Sequence, residues 1–152
     1  MINSNKFYVY TDGSCANTGS LSPGGWAAII VDFNNNKQSI YGREISTTSD
    51  RMELTAIINA LEFLPEQSNI TLFTDSQTAV QRATKKGKSI TNLDLCNQLD
   101  ILCSKRIVKF VWIQGHVRIP LNEQADNLAW KQHKLAKIDA KNLRLGGVLQ
   151  GK

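Results

Sequence analysis

"RMELTAIINALEFL", residues 51–64, has the pattern of an amphipathic helix with a carboxylate in the middle of its apolar side. At about 100° per residue, Ala56, Ile57, Ala60, Leu61 and Leu64 fall within about 80° of Glu53, whereas Thr55, Asn59 and Glu62 point the other way. Glu53 is therefore directed toward the protein. Two readings explain it. Asp50-Arg51-Met52-Glu53 has the form of a capping box, in which a Glu at the third helical position reaches back to the backbone of the cap. Alternatively, Glu53 faces a cation, because a carboxylate in a low-dielectric site must be paired, protonated or bound to metal.

Working outward, residues 6–14 (KFYVYTDGS) are aromatic and β-branched and stop at a glycine turn, which predicts a strand. WAAIIVDF, the turn residues Asn34-Asn35-Asn36, and KQSIYGREI predict a hairpin beside it. After the 51–64 helix, NITLFTD (69–75) reads as a buried strand and SQTAVQRATKKG as a helix stopping at Gly87. TNLDLCNQLDILCSK repeats Leu at helical spacing, IVKFVWIQG is a further strand, and LNEQADNLAWKQHKL is a last helix. The order β-β-β-α-β-α-α-β-α predicts an α/β fold: a mixed five-stranded sheet with helices on both faces. No linker divides the chain. Residues 1–136 are read as one domain, and 137–152, with paired glycines and no clear periodicity, as a weakly ordered basic C-terminal tail.

Composition narrows the function classes. A chain of 152 residues with 41% apolar and 20% charged content is one soluble globular domain. It has no apolar run of membrane-spanning length, and its start lacks a secretory pattern, so a cytoplasmic protein is expected. Three cysteines without CxxC spacing suggest neither a disulfide framework nor a zinc site. The net charge of +5 is unevenly distributed. Residues 1–81 hold four Lys/Arg against eight Asp/Glu, whereas residues 82–152 hold fourteen against five. The second half is the candidate polyanion surface.

Asp12 and Asp75 stand at predicted strand ends, where α/β sheets bind ligands. Each also suits a turn or cap. Side by side, their repulsion would raise a pKa unless a hard divalent cation relieved it. The segment "WIQGHVRIPLNEQADNLA" adds His116 in a loop, then Asn122 and Asp126, four apart on one helix face; Glu123 suits the helix start. His133, in the basic stretch beyond, is read as surface decoration.

Together, "TDGSC", "DRMEL", "TDSQ" and "GHxxxxxNEQADNLA" resemble type 1 ribonuclease H, in order from residue 7 to about residue 130. The resemblance implies a ribonuclease H-like fold and an endonuclease cutting the RNA strand of RNA–DNA hybrids, leaving 5′-phosphate and 3′-hydroxyl ends. It implies that Asp12, Glu53, Asp75 and Asp126 bind two Mg²⁺ ions, replaceable by Mn²⁺, with Asp12 between them. It also implies that His116 assists proton transfer or product release, and that Cys15, Asn17, Thr48, Gln77 and Asn122 contact the substrate or support the site. Thr48 also suits a helix N-cap, and Gln77 an ordinary first-turn residue.

The sequence departs from the family pattern in places. The loop after Cys15 is about two residues longer than usual. Ser49-Asp50 replaces a common Asn pair, and Asp50 is expected to weaken the grip on a polyanion. Arg118 stands where a glycine is usual. The basic helix that many relatives carry between Asp75 and His116 is reduced to "RATKKGKS", where Lys85, Lys86 and Lys88 either retain part of its grip or form a solvated helix end. The alternatives are a hybrid-binding module without catalysis, or a nuclease of this fold with another duplex preference. A monomer is expected, since nothing resembles a dimer seam.

Overall fold

The computed structural model describes residues 5–84, 91–115 and 119–146. Its elements are β1 (Lys6–Cys15), β2 (Ser22–Val31), β3 (Lys37–Thr47), α1 (Ser49–Phe63), β4 (Asn69–Thr74), α2 (Gln77–Thr84), α3 (Leu93–Ser104), β5 (Ile107–Trp112) and α4 (Pro120–Arg144). This is the order expected from the sequence. The strands form one sheet in the order β3-β2-β1-β4-β5, antiparallel from β3 to β1 and parallel from β1 to β5. In the β2–β3 turn Asn35 takes a positive φ of 66°, and Asp32 Oδ1 accepts the backbone N–H groups of Asn34 and Asn36, both at 2.9 Å.

Helix α1 lies on one face of the sheet, with α3 packed against it, and α4 crosses the other face over β1, β2 and β3. The first interface holds the main core. Leu54, Ile57 and Leu61 of α1 and Leu99 of α3 pack with Val9, Ile70 and Leu72 of the central strands, all nearly or completely buried. The second interface is thinner and is built from small residues. Ala125, Ala129, Ala136 and Ala140 form the buried stripe of α4.

Gly24 and Gly25 serve the two faces in turn, as successive strand residues must. A Cβ on Gly24 would lie 3.0 Å from the Met52 side chain of α1, and one on Gly25 2.5 Å from the backbone nitrogen of His133 in α4. The far half of α4 is held by Arg43 of β3, whose Nε donates to Asp139 Oδ2 at 2.8 Å.

Two expectations need correction. The first concerns the stretch after residue 136. Residues 137–144 are the last two turns of α4, with Asp139 and Ala140 buried, because the alanine stripe continues and Arg43 supplies a partner; residues 147–152 lie outside the described residues. The second concerns His133, which is only 7% exposed. Its Nδ1 lies 2.9 Å from Ser14 Oγ, and its ring meets Trp130 edge-on at 5.2 Å, so it packs α4 onto β1.

Gly25→Ala is expected to push α4 off the sheet and destabilise the protein by about 1–3 kcal/mol. Thermal melting would show a fall of about 2–4 °C per kcal/mol for a chain of this size. An unchanged melting temperature would mean that the α4 contact yields without cost.

Candidate active site

Backbone register brings the first two acids together. Thr11 of β1 pairs with Thr74 of β4, so the next residues, Asp12 and Asp75, leave neighbouring strands side by side. Strand β1 itself continues along β2 to Cys15, so Asp12 stands where pairing with β4 ends, three residues before the strand does. Beyond β4, Thr74 Oγ1 accepts from Ser76 N at 3.1 Å and Ser76 Oγ from Ala79 N at 3.0 Å. Trp112 Nε1 donates to the Asp75 carbonyl at 3.1 Å. This turn and its neighbour on β5 fix where Asp75 is presented.

Glu53 arrives from α1, and Gly13 admits it. A Cβ on Gly13 would lie 2.6 Å from the backbone nitrogen of Glu53, so the first turn of α1 rests directly on the β1 backbone next to Asp12. The helix begins two residues earlier than a capping box at Asp50 requires. Thr48 is the N-cap, and its hydroxyl accepts from Arg51 N at 3.2 Å. Glu53 is therefore too far into the helix to close that box, which corrects the local reading and leaves its carboxylate for the site.

Asp12, Glu53 and Asp75 each offer a carboxylate oxygen within 4.8 Å of the others. Asp12 is 3% exposed, with Oδ1 accepting from Gly13 N at 2.9 Å. Glu53 Oε1 is shut off from solvent and has no hydrogen-bond partner among the described residues. Burial, the charge of Asp75 and the closeness of Asp126 push the Asp12 carboxyl up to about 8. Burial, then the charges of Asp12 and Asp75, raise Glu53 well above the usual carboxylate range. A hard divalent cation fits this donor set: all ligands are oxygens, one is orphaned, and the repulsion that lifts both groups is what a positive ion removes. Asp126, on the exposed side of α4, completes the four expected acids from beside Asp12.

The other expected site residues are more dispersed. Cys15 is turned into the fold, its Sγ 3.2 Å from Ser22 Oγ and 3.4 Å from the Pro23 carbonyl oxygen. Asn122 is buried, with Oδ1 unpartnered among the described residues, and Gln77 is exposed at the start of α2. Asn17 and Thr48 line a depression of about 430 Å³ with Asp50, Arg82, Thr91 and Asn92. His116, Arg118, Lys85, Lys86 and Lys88 lie outside the described residues. Gly115, just before His116, passes Asp75, since a Cβ there would lie 3.2 Å from Asp75 Oδ2.

Sequence reasoning missed two arginines here. Arg82 reaches Asp50 at 3.4 Å, so the Asp50 charge expected to repel a polyanion has a cation beside it. Arg51 makes a two-pronged contact with Asp94 at 2.8 and 3.0 Å and donates to Asn92 Oδ1 at 3.2 Å. It thereby ties the start of α1 to the start of α3. Asn92, in the left-handed region at φ 54°, makes no side-chain cap bond to α3. Neither arginine had a local signal for its ion pair, because each acidic partner lies more than thirty residues away.

Carboxylates gathered where β1 and β4 part, in a sheet of order β3-β2-β1-β4-β5 faced by helices on both sides, define a ribonuclease H-like α/β protein with a candidate metal centre. The RNase H family model matches residues 4–134, and the chain belongs to that family. A ribonuclease H of Wolbachia pipientis wMel is 39% identical, the match covering 87% of this chain and 95% of that one. Among solved structures, LC9-RNase H1, a type 1 RNase H with the type 2 active-site motif, superposes with a TM-score of 0.74 at 24% identity over 85% of this chain and 72% of its own. LC11-RNase H1 in complex with RNA/DNA hybrid gives 0.71 at 23% identity, over 86% and 98%.

The acid cluster makes stability depend on pH. In the unfolded chain Asp12 ionises near its ordinary value of 3.8, and in the folded, metal-free protein near 8, so between these values the folded state holds the extra proton. Its contribution is complete at low pH and is lost as the pH rises through about 8. Calorimetry of metal-free protein is expected to show melting falling from about pH 5 to about pH 8.5, with Asp12→Asn melting about 4 °C or more above the wild type at the upper end. Parallel curves for the two proteins would mean that the cluster carries no such strain.

Proposed function

We propose that this chain is an endonuclease that hydrolyses the RNA strand of RNA–DNA hybrids with two divalent ions, leaving 5′-phosphate and 3′-hydroxyl ends, and that it works as a cytoplasmic monomer. The observation that carries the reading is the carboxylate triad with a buried Glu53 oxygen that has no hydrogen-bond partner among the described residues. A pure binding module has no use for acids gathered against a phosphate backbone. Family membership and the hybrid-bound state of LC11-RNase H1 supply the substrate class.

Asp12, Glu53, Asp75 and Asp126 would hold the ions, with Asp12 shared, and four oxygen donors suit Mg²⁺ with Mn²⁺ as a substitute. Ions held there would supply a more acidic bound water and charge neutralisation at the phosphate. Gly13 and the Thr74–Ser76 turn keep the carboxylates in place before substrate arrives, so binding need not reorganise them. His116 is assigned proton transfer or product release; Gly115, the residue before it in sequence, passes Asp75. Asn17 and Thr48, in the depression beside Arg82, are assigned to substrate backbone, with Gln77 at the first turn of α2. Cys15, turned into the fold beside Ser22, and the buried Asn122 are assigned support of the site. Such contacts favour sugar and phosphate over bases, so low sequence specificity follows.

Cleavage of an end-labelled RNA–DNA hybrid with Mg²⁺ tests the reading. RNA-strand cutting should vanish with EDTA and fall at least about 100-fold in Asp75→Asn, since even residues supporting a metal ligand typically cost 10–100-fold. Hybrid that is bound and never cut, with Mn²⁺ as well as Mg²⁺, would make the chain a binding module. Preferential cutting of matched DNA or RNA duplexes would reassign the substrate.

A further inference from the structure

The outer face of α4 is not used by the reading above. At about 100° per residue, Asp126, Trp130, Lys134, Lys137, Lys141 and Arg144 fall within about 80° of one another. One end of this stripe is the carboxylate that stands beside Asp12. From Asp126 to Arg144 it extends about 27 Å at 1.5 Å per residue, a length over which one duplex strand presents about eight phosphates.

Beyond Asp126 the stripe is cationic. Residues 127–146 contain Lys131, Lys134, Lys137, Lys141 and Arg144 against one acid, Asp139, which is buried and paired with Arg43. Among the described residues these five cations make no ion pair within 4 Å. Cations in a last turn complement a helix dipole, which accounts for Lys141 and Arg144. That effect does not extend back to Lys134 and Lys137.

Two local features match a nucleic-acid strand. Trp130, one turn beyond Asp126, is 47% exposed, and Lys134 Nζ sits 5.7 Å from its ring, making a surface with an aromatic face and a charge. Further along, Lys137, Lys141 and Arg144 border a shallow depression of about 360 Å³ with Pro23 and Ile138. The Arg43–Asp139 pair and the alanine stripe hold this half of the helix on the sheet, so the cations are presented on a rigid support.

We propose that the Trp130–Arg144 face of α4 is a binding track for the phosphodiester backbone of the hybrid where it extends beyond the carboxylate cluster. The proposal rests on the hybrid-nuclease reading and adds a surface to it. The track lengthens the footprint and contributes affinity for long substrates, while the chemical step stays with the acids.

The test compares the full chain with a variant carrying Lys134→Gln, Lys137→Gln, Lys141→Gln and Arg144→Gln, and with a second in which the three lysines become Arg. Affinity for RNA–DNA hybrids of about 8 and about 24 base pairs is measured over a salt series in metal-free buffer, and turnover with Mg²⁺. The Gln variant should bind the long hybrid about 10-fold or more weakly, with a salt slope shallower by about 2–4, because each phosphate contact contributes about 0.7–0.9. The short hybrid and the turnover rate at saturation should change little, and the Arg variant should match the wild type, separating lost charge from lost fold.

Equal affinity and slope for wild type and Gln variant on the long hybrid would overturn the track while leaving normal cleavage, and so the hybrid-nuclease reading, intact. An equal loss on both lengths would also overturn it. A Gln variant that loses binding to phosphatidylserine vesicles but keeps hybrid affinity would transfer the face to a membrane surface. Wild type that neither binds nor cuts hybrid would remove the earlier reading and this one together.

Discussion

Carboxylates held within 4.8 Å of one another repel, and the fold around them is arranged to resist that repulsion. Asp12 and Asp75 are adjacent because β1 and β4 run parallel in a register that ends on paired threonines, Thr11 and Thr74, both completely buried. Glu53 joins them because α1 rests on a residue with no side chain. The core between α1, α3 and the sheet provides the burial that keeps these backbones from separating. Burial also raises the affinity of the acids for protons, so in the absence of metal the site holds a proton where isolated carboxylates would hold none. The same desolvation that makes the cluster costly is what suits it to a cation.

The two faces of the sheet carry different loads. Under α1 and α3 lie large aliphatic side chains, and this side contributes most of the apolar burial. Under α4 lie alanines and Gly25, which bury little area and allow close approach. Close contact on that side is reinforced by polar partners, Ser14 with His133 and Arg43 with Asp139. A helix seated in this way is defined in position more than it is deeply buried, as suits an element that carries Asp126 at one end.

Much of the architecture was legible in the sequence because it is written locally. Aromatic and β-branched runs ending in turn residues marked all five strands, and Glu53 was flagged by its place on the apolar side of a helix. The acids were legible through four short motifs in a fixed order. What escaped notice depends on distant partners. His133 reads as a surface residue until Ser14, 119 positions away, is placed beside it, and the final turns of α4 read as a tail until Arg43 meets Asp139 across 96 positions. The cap of α1 was ambiguous for another reason: Thr48 and Asp50 are both good caps, and only the path of the chain out of β3 decides between them.

The strand order also leaves the sheet open on both sides, since β3 and β5 each have a single neighbour. An unpaired strand is a template on which another chain can add, the first step toward fibrous self-association. Both edges carry charge along their length: Lys37, Arg43 and Glu44 on β3, and Lys109 midway along β5. A register shift where β2 meets the end of β3 further breaks the regular ladder near that edge. A second molecule adding a strand at either border would have to accommodate these charges, which disfavours growth of the sheet at the two places where the architecture invites it.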